Sequence, residues 1–507
     1  MNIFARIAPR IALKRAAARK RLEILNSGYS HYGANRTKKS LAGWLYSGGS
    51  SKEDIEDNLD VLRQRSRDIY YGGGIIGTGA VKTMRTNVVG LGLMLKPKID
   101  YDALKISSEA AKELETEIKR EWKIYAESTD CDMQRLNNFY ELQQLAFLNI
   151  LLSGDVFAVL PVVKRKNSLY DLRIRLIEAD MVATPPDKAM SDNIVGGVEF
   201  NENKEVVAYW FAKNHPLSHS GYTAQEYTRI KAYGDKTGRR NVLHLMNSER
   251  IGQLRGIPYL SPVIEALKQL GRYTDSELLA AVVSGLFTVF IEKTDTGEGP
   301  ALGEFIPPEQ QIDAADDSTI ELAPGAVIDL REGEKIKEAN PGRPNTSFEG
   351  FVNAIIRQIG VALEQPYEII LKCFNNSYSA SRASLLEAWK TYKMYRKWFS
   401  DDFCQPVYEE WLAEAVAKNR IKAPGFFLDP RIRKAYSGAE WIGPAQGLLN
   451  PVQEVIAAEK RVANGFSTRA RETTEMTGGD FFENVRERVN EERLMREISP
   501  EKVIANE

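Results

Sequence analysis

Few residues in this chain combine the types and spacing that chemistry needs. Gly72-Gly73-Gly74-Ile75-Ile76-Gly77 satisfies G-x-G-x-x-G. That loop binds a dinucleotide only after a strand and inside a βαβ unit. Here residues 63–71 read as helix and no parallel-strand series follows, so a tight helix–helix turn is expected. Gly79-Ala80-Val81-Lys82-Thr83 lacks the glycine that a phosphate loop places directly before its lysine. His215 and His219 stand at i, i+4, which on a helix would aim two imidazoles at one metal. Pro216 and Gly221 argue for a loop instead. His244 lies in the apolar run Val242-Leu243-His244-Leu245 and reads as a satisfied core or interface histidine. Asp155 in Ser153-Gly154-Asp155-Val156-Phe157, and Glu178 and Asp180 in Ile177-Glu178-Ala179-Asp180, stand at strand ends. Acids there form turns more often than they catalyse. Asp316-Asp317 could hold a divalent cation but sits in a solvated acidic run. With four histidines, no G-x-S-x-G and no H-E-x-x-H, the expectation is no catalytic residue, no cofactor and no metal.

A different chemistry is written in Phe374-Asn375-Asn376-Ser377-Tyr378-Ser379-Ala380-Ser381-Arg382. These small polar residues can bond their own backbone, and they pass directly into a long helical pattern. The loop offers hydroxyls, amides and one arginine without a nucleophile–base pair. Such a surface can touch a polyanion without reacting with it.

Charge is sorted along the chain. The 68 Lys/Arg and 69 Asp/Glu leave a net charge of −1. Yet residues 1–40 hold ten Lys/Arg against Glu23 alone, and residues 292–338 hold thirteen acids against four bases. Segregation of this kind fits different partners at different places. Cys131, Cys373 and Cys404 are odd in number and without C-x-x-C spacing, which suits a reducing compartment rather than a disulfide framework. The longest uncharged run, Leu278 to Ile291, is fourteen residues. A membrane span needs roughly 18 or more. The basic start lacks the apolar core of a secretory signal.

The elements that must position the loop can be read from periodicity. Residues 1–45 form a basic, poorly ordered arm. Ser51 is expected to cap a helix running to about Tyr70, with Asp54 as the acidic partner of the cap. Helices follow at 75–88, 107–128 and 137–152, and a strand is expected over 89–97 with Val89, Leu91, Leu93 and Leu95 on one face. Strands dominate 156–245: 156–160, 172–177, 197–200, 206–211 and 242–245. Residues 259–286 and 347–363 read as two long helices flanking an acidic insert with short strands. A long helical region runs from Ser381 to about Lys418, weakened at Pro406, and helices at 451–462, 467–476 and 481–495 close the chain. The class is α+β, rich in helix.

The loop 374–389 and the upstream Gly252-Gln253-Leu254-Arg255-Gly256-Ile257-Pro258-Tyr259-Leu260 together resemble the lambda-type family of tailed-bacteriophage portal proteins, from about Asp68 to about Arg486. Four more stretches follow the family pattern in its order: Leu152 to Phe157, Leu176 to Asp180, Gly196 to Phe200, and Leu322 to Gly325 with Leu330 to Glu334. The resemblance implies a homo-oligomeric ring, typically of twelve subunits, at one capsid vertex of the virion. Double-stranded DNA would pass passively and without sequence readout. The terminase large subunit docks during packaging and head–tail joining proteins later; the major capsid and scaffold proteins are further partners, assembly is cytoplasmic in the host, and no membrane is involved. It also implies an α+β wing over 46–255, stem helices over 256–286 and 347–365, an acidic clip over 287–346, a channel loop over 366–381, a long wing helix and its return over 382–435, and a helical crown over 436–507. DNA-channel candidates are then Asn375, Asn376, Ser377, Tyr378 and Arg382, with Lys390 and Arg396 as weaker ones. Docking candidates are Glu304, Glu309, Asp313, Asp316, Asp317 and Glu321. The family often carries an acid where this chain has Lys372-Cys373-Phe374. Other readings are a metal-dependent nuclease or nucleotide-binding enzyme of the packaging pathway, and a membrane-associated scaffold led by the basic arm.

Overall fold

The computed structural model describes residues 10, 14, 15, 17–20, 39–41, 48–218, 225–285, 289–293, 334–338, 347–374, 377–447 and 450–498. Two units divide at Asp54 and Ile55. In the first, Ser51–Asp54 is a single helical turn. Its start is tied by Ser50 N donating to Glu53 Oε2 at 2.8 Å and Gly49 N donating to Asp54 Oδ1 at 2.9 Å. The expected helix from Ser51 to Tyr70 is therefore not continuous. A 3-10 turn, Glu56–Asn58, precedes α1 (Leu59–Tyr71). Asp and Asn, two of the three residues of that turn, are weak helix formers, which favours a break there.

The second unit continues with α2 (Ile75–Val88), at the expected bounds. The strand expected over 89–97 shrinks to β1 (Met94–Pro97). Gly90 and Gly92 take φ of 57° and 114°, so the chain turns there. Leu91 is left exposed while Val89, Leu93 and Leu95 are buried. Next come α3 (Ser108–Ala126), capped by Ser107, and α4 (Phe139–Ser153), started by a capping box of Asn138 and Glu141. As the i, i+4 and i+3 spacing requires, Ile118, Trp122 and Tyr125 of α3 are buried. Trp122 packs edge-on against Phe139, Tyr408 and Trp411 at 5.0–5.7 Å.

Two antiparallel sheets follow. One has the order β3-β2-β8, built from β2 (Asp155–Val159), β3 (Arg175–Glu178) and β8 (Val242–Met246). The other runs β4-β5-β6-β7, built from Ile194–Val195, Val198–Phe200, Val206–Ala212 and Tyr227–Lys231 in that order. The strand β7 has no counterpart in the sequence reading, because Tyr227-Thr228-Arg229-Ile230-Lys231 has only two apolar residues.

A 3-10 turn at Ser261–Val263 opens α5 (Ile264–Gly285). Strands β9 (Val289–Lys293) and β10 (Glu334–Glu338) pair antiparallel, and α6 (Phe348–Ala362) follows. Tyr273 of α5 stacks on Phe348 of α6 at 5.7 Å. After α7 (Tyr367–Leu371) comes α8 (Tyr378–Phe399), which passes through a π turn at Ser400–Cys404 into α9 (Gln405–Ala417). Pro406, where weakening is expected, lies in the first turn of α9 directly after this wide turn, and its ring and missing N–H disrupt regular i→i−4 pairing back into it. The chain closes with α10 (Pro430–Tyr436), β11 (Ala439–Ile442), α11 (Pro451–Ala463), α12 (Arg469–Thr477) and α13 (Phe481–Ile498). β11 pairs with β1 across most of the chain's length, Leu95 opposite Trp441.

Candidate nucleic-acid interface

The loop that precedes α8 is set by two local devices. At its upstream end Lys372 adopts the left-handed conformation, φ 54°, and closes α7 by donating its N–H to Glu368 O. Downstream, Ser377 caps α8, its Oγ accepting from Ala380 N at 3.4 Å. Cys373 and Phe374 between them are exposed. Asn375, Asn376 and the side chain of Tyr378 lie outside the described residues. So do the acids Glu304, Glu309, Asp313, Asp316, Asp317 and Glu321, and the stretches Leu322 to Gly325 and Leu330 to Gly333.

The cations of α8 are distributed unequally. Arg382 is half-exposed and stands 3.8 Å from Glu454 of α11. Lys390 is exposed and pairs with Glu387 at 2.6 Å. Lys393 lies 3.9 Å from Glu475, and Lys397 pairs with Asp401. Each exposed cation of this helix thus has an acid beside it. Exposed pairs contribute only about 0–1 kcal/mol to stability, but the adjacent acid weakens the cation's pull on a passing polyanion.

Arg396, a channel candidate by sequence, faces inward. Its Nε donates to Val88 O at 3.0 Å and its Nη2 to Asn87 O at 2.7 Å, closing the carbonyl end of α2. The guanidinium lies 5.2 Å from the Trp389 ring, and burial pulls its pKa down to about 10, so it stays charged at neutral pH. A cation there also meets the negative end of the helix dipole. Arg396→Ala should cost about 3 kcal/mol or more, since each of its two bonds comes from a charged donor and contributes about 1.5–3 kcal/mol. A shift in the urea midpoint checks this; an unchanged midpoint would deny the contact any weight.

The remaining chemical candidates resolve into structure. Gly72 to Gly74 joins α1 to α2, Gly77 lies within α2, and a helix rather than a strand precedes the motif. A Cβ at Gly77 would stand 2.5 Å from Ile69 Cγ2, so glycine permits helix–helix contact there. His215 Nε2 lies 3.2 Å from Glu178, and His219 is outside the described residues. Glu178, Asp180 and His215 could offer ligand atoms within 4.8 Å of one another. Arg67 already holds Asp180 at 2.5 Å, which puts a positive charge where a metal would need none.

The densest polar site is one that sequence reasoning set aside as turn chemistry. Asp155, fully buried at the start of β2, accepts from Arg63 Nη2 at 3.0 Å, Arg255 Nε at 2.7 Å and Gly256 N at 3.0 Å. His244 Nε2 is 3.1 Å away. Burial alone would raise the Asp155 pKa; Arg255 and Arg63 overcome it and hold the carboxyl well below its usual range. Arg255 also donates to Ala179 O and Val182 O at 2.6 Å and Gly196 O at 2.5 Å. One guanidinium therefore ties together Leu152 to Phe157, Leu176 to Asp180, Gly196 to Phe200 and Gly252 to Leu260. The signal in the sequence was a charged residue beside glycine within each of two otherwise apolar stretches.

The sequence matches the phage portal protein, lambda family, over residues 37–396. The chain belongs to that family. This portal chain is 22% identical over 485 residues to portal protein B of Escherichia phage lambda, covering 92% of this chain and 89% of that protein. It is 22% identical over 496 residues to the portal protein of Escherichia phage N15, covering 94% and 92%. A chain in the neck of a native gene transfer agent particle, computed with C12 symmetry, is 14% identical, covers 82% of this chain and 92% of its own, and superposes with a TM-score of 0.41. The protein is thus a portal, a head–tail connector of the virion, with a structural role. No helix among the described residues of this portal is long and apolar enough to cross a membrane.

Proposed function

We propose that copies of this chain, twelve in number, close a ring at one capsid vertex and conduct double-stranded DNA without making or breaking a bond. The observation that carries this reading is the family match over residues 37–396. In it, α5 and α6 are the stem, residues 287–346 the clip, 366–381 the channel loop, 46–255 the wing, 382–435 the long wing helix and its return, and 436–507 the crown. Duplex DNA carries about one charge per 1.7 Å, and affinity climbs steeply with each neutralising cation. A conduit has to avoid that. The acid beside every exposed cation of α8 supports weak, sliding contact. Arg382, Lys390 and the loop residues Asn375, Asn376, Ser377 and Tyr378 meet DNA, while Arg396 positions α8 from within. The acids from Glu304 to Glu321 receive the terminase large subunit and then the head–tail joining proteins, and capsid and scaffold proteins surround the ring, which assembles in the host cytoplasm.

Arg382→Ala in an infectious clone should lower the amount of DNA packaged or retained, read by genome quantitation of purified particles. Normal packaging and retention would remove Arg382 from the mechanism. Replacing Glu304, Glu309, Asp313, Asp316, Asp317 and Glu321 by alanine should leave rings intact and abolish terminase docking; unchanged docking would count against the acidic segment.

A further inference from the structure

We propose that α13 is an inter-subunit element, clasped on two opposite sides by second copies of this chain; the proposal rests on the ring reading above. The C-terminal segment lacks an interior of its own. Among described residues 451–497, only Ala458 and Glu472 are buried. A helix in water draws most of its stability from packing an apolar face, and an isolated one of this length is marginal. The start of α13 has a partner in α3. Lys119 pairs with Glu483 at 2.8 Å and lies 3.5 Å from Asp480, and Lys112 stands 5.6 Å from the Phe482 ring. From Glu487 to Glu497 every residue is exposed. The ion pairs there, Arg488–Glu492 at 3.1 Å and Arg493–Glu497 at 3.6 Å, lie within the helix.

The apolar residues of α13 form two patches that point apart. Phe482, Val485 and Val489 are 50%, 43% and 64% exposed, and Leu494 and Met495 are 53% and 63% exposed. At 3.6 residues per turn the first three fall within about 60° of one another, and the second pair is centred about 160° away. A two-fold pair needs one self-complementary surface. A head-to-tail ring needs two different surfaces on opposite sides of the subunit. The patches fit the second requirement. Their surroundings select the occupant. Glu487, Glu491, Glu492 and Glu497 alternate with Arg488, Arg493 and Arg496, so another copy of the same surface offers both signs of charge. A uniformly charged partner such as DNA would meet repulsion at half of these positions or more.

The test uses the full chain with two variants, Val489→Glu for the first patch and Leu494→Glu with Met495→Glu for the second. These side chains are exposed, so circular dichroism and the thermal midpoint of the subunit should not move. Each variant alone should lose at least tenfold in ring yield, read by sedimentation and negative-stain microscopy. Mixed together, they retain one intact patch of each kind and should form one-to-one heterodimers without rings. Closed rings from either variant at the wild-type yield would overturn the proposal and assign the patches to another partner. Homodimers from one variant alone would overturn it in favour of two-fold pairing. A wild-type chain that never closes a ring would instead sink the ring reading, and this proposal with it.

Discussion

Asp155→Ala is expected to destabilise this portal subunit by about 3–5 kcal/mol, the cost of leaving two buried guanidiniums without their counter-charge. Arg63 and Arg255 are 3% and 2% exposed, so water cannot replace the lost carboxylate. Asp155→Asn should be nearly as damaging, since it keeps the shape and removes the charge. The urea midpoint and the soluble yield are the measurements. A loss under about 1 kcal/mol would mean that the site relaxes to let water in.

The same cluster sets an acid limit with a definite sign. Burial, the largest effect on His244, lowers its pKa below the ordinary 6.5. The unfolded chain then binds a proton there that the folded chain resists, so stability falls as pH drops below about 6.5 toward the folded value. Asp155, held below its ordinary 3.8, contributes stability present above about that pH and lost as pH falls through its lower folded pKa. His244→Gln should remove the first decline and leave the second. A thermal-unfolding series from pH 7 to 4 that is identical in both proteins would contradict this account of His244.

The second large effect is expected at Gly154→Ala. Gly154 holds φ of 89°, and an added Cβ would lie 2.3 Å from Gly256 O. Gly256 has the reciprocal problem, its Cβ meeting Gly154 O at 2.0 Å. The two backbones touch because Gly256 N must reach Asp155 while Tyr259 N donates to Leu151 O at 2.9 Å. Neither backbone can retreat without breaking those bonds. Left-handed strain of about 1–3 kcal/mol and overpacking of about 1–3 kcal/mol act together. A loss of about 3 kcal/mol or more should appear as low soluble yield and a lowered thermal midpoint. A soluble variant with the wild-type midpoint would show that the contact is slack.

Elements governed by local spacing are legible in the sequence itself. The helix Ile75–Val88, the buried face of Ile118, Trp122 and Tyr125, and the pair α5 and α6 follow from the repeat of apolar residues alone. Failures came where a distant partner decides. β11 is a strand because β1, far away in sequence, offers Met94 to Pro97 as its edge. β7 carries little hydrophobic signal and is held by pairing with β6, Trp210 opposite Arg229. Arg396 is spelled like any surface arginine at the end of a helix, yet it serves the carbonyls of another helix. For Asp155, strand-end position suggested a turn, and only the convergence of Arg63, Arg255 and His244 on it reveals a core ion cluster. Charge burial is a property of the tertiary arrangement, so composition and periodicity do not disclose it.

The most direct test of the central claim is native mass spectrometry of the purified full chain, with negative-stain images of the same sample. The account predicts one dominant species, a closed ring of about twelve identical subunits with an axial hole wide enough for a duplex. A chain that stays monomeric across salt, concentration and pH, with no ring in any image, would contradict it.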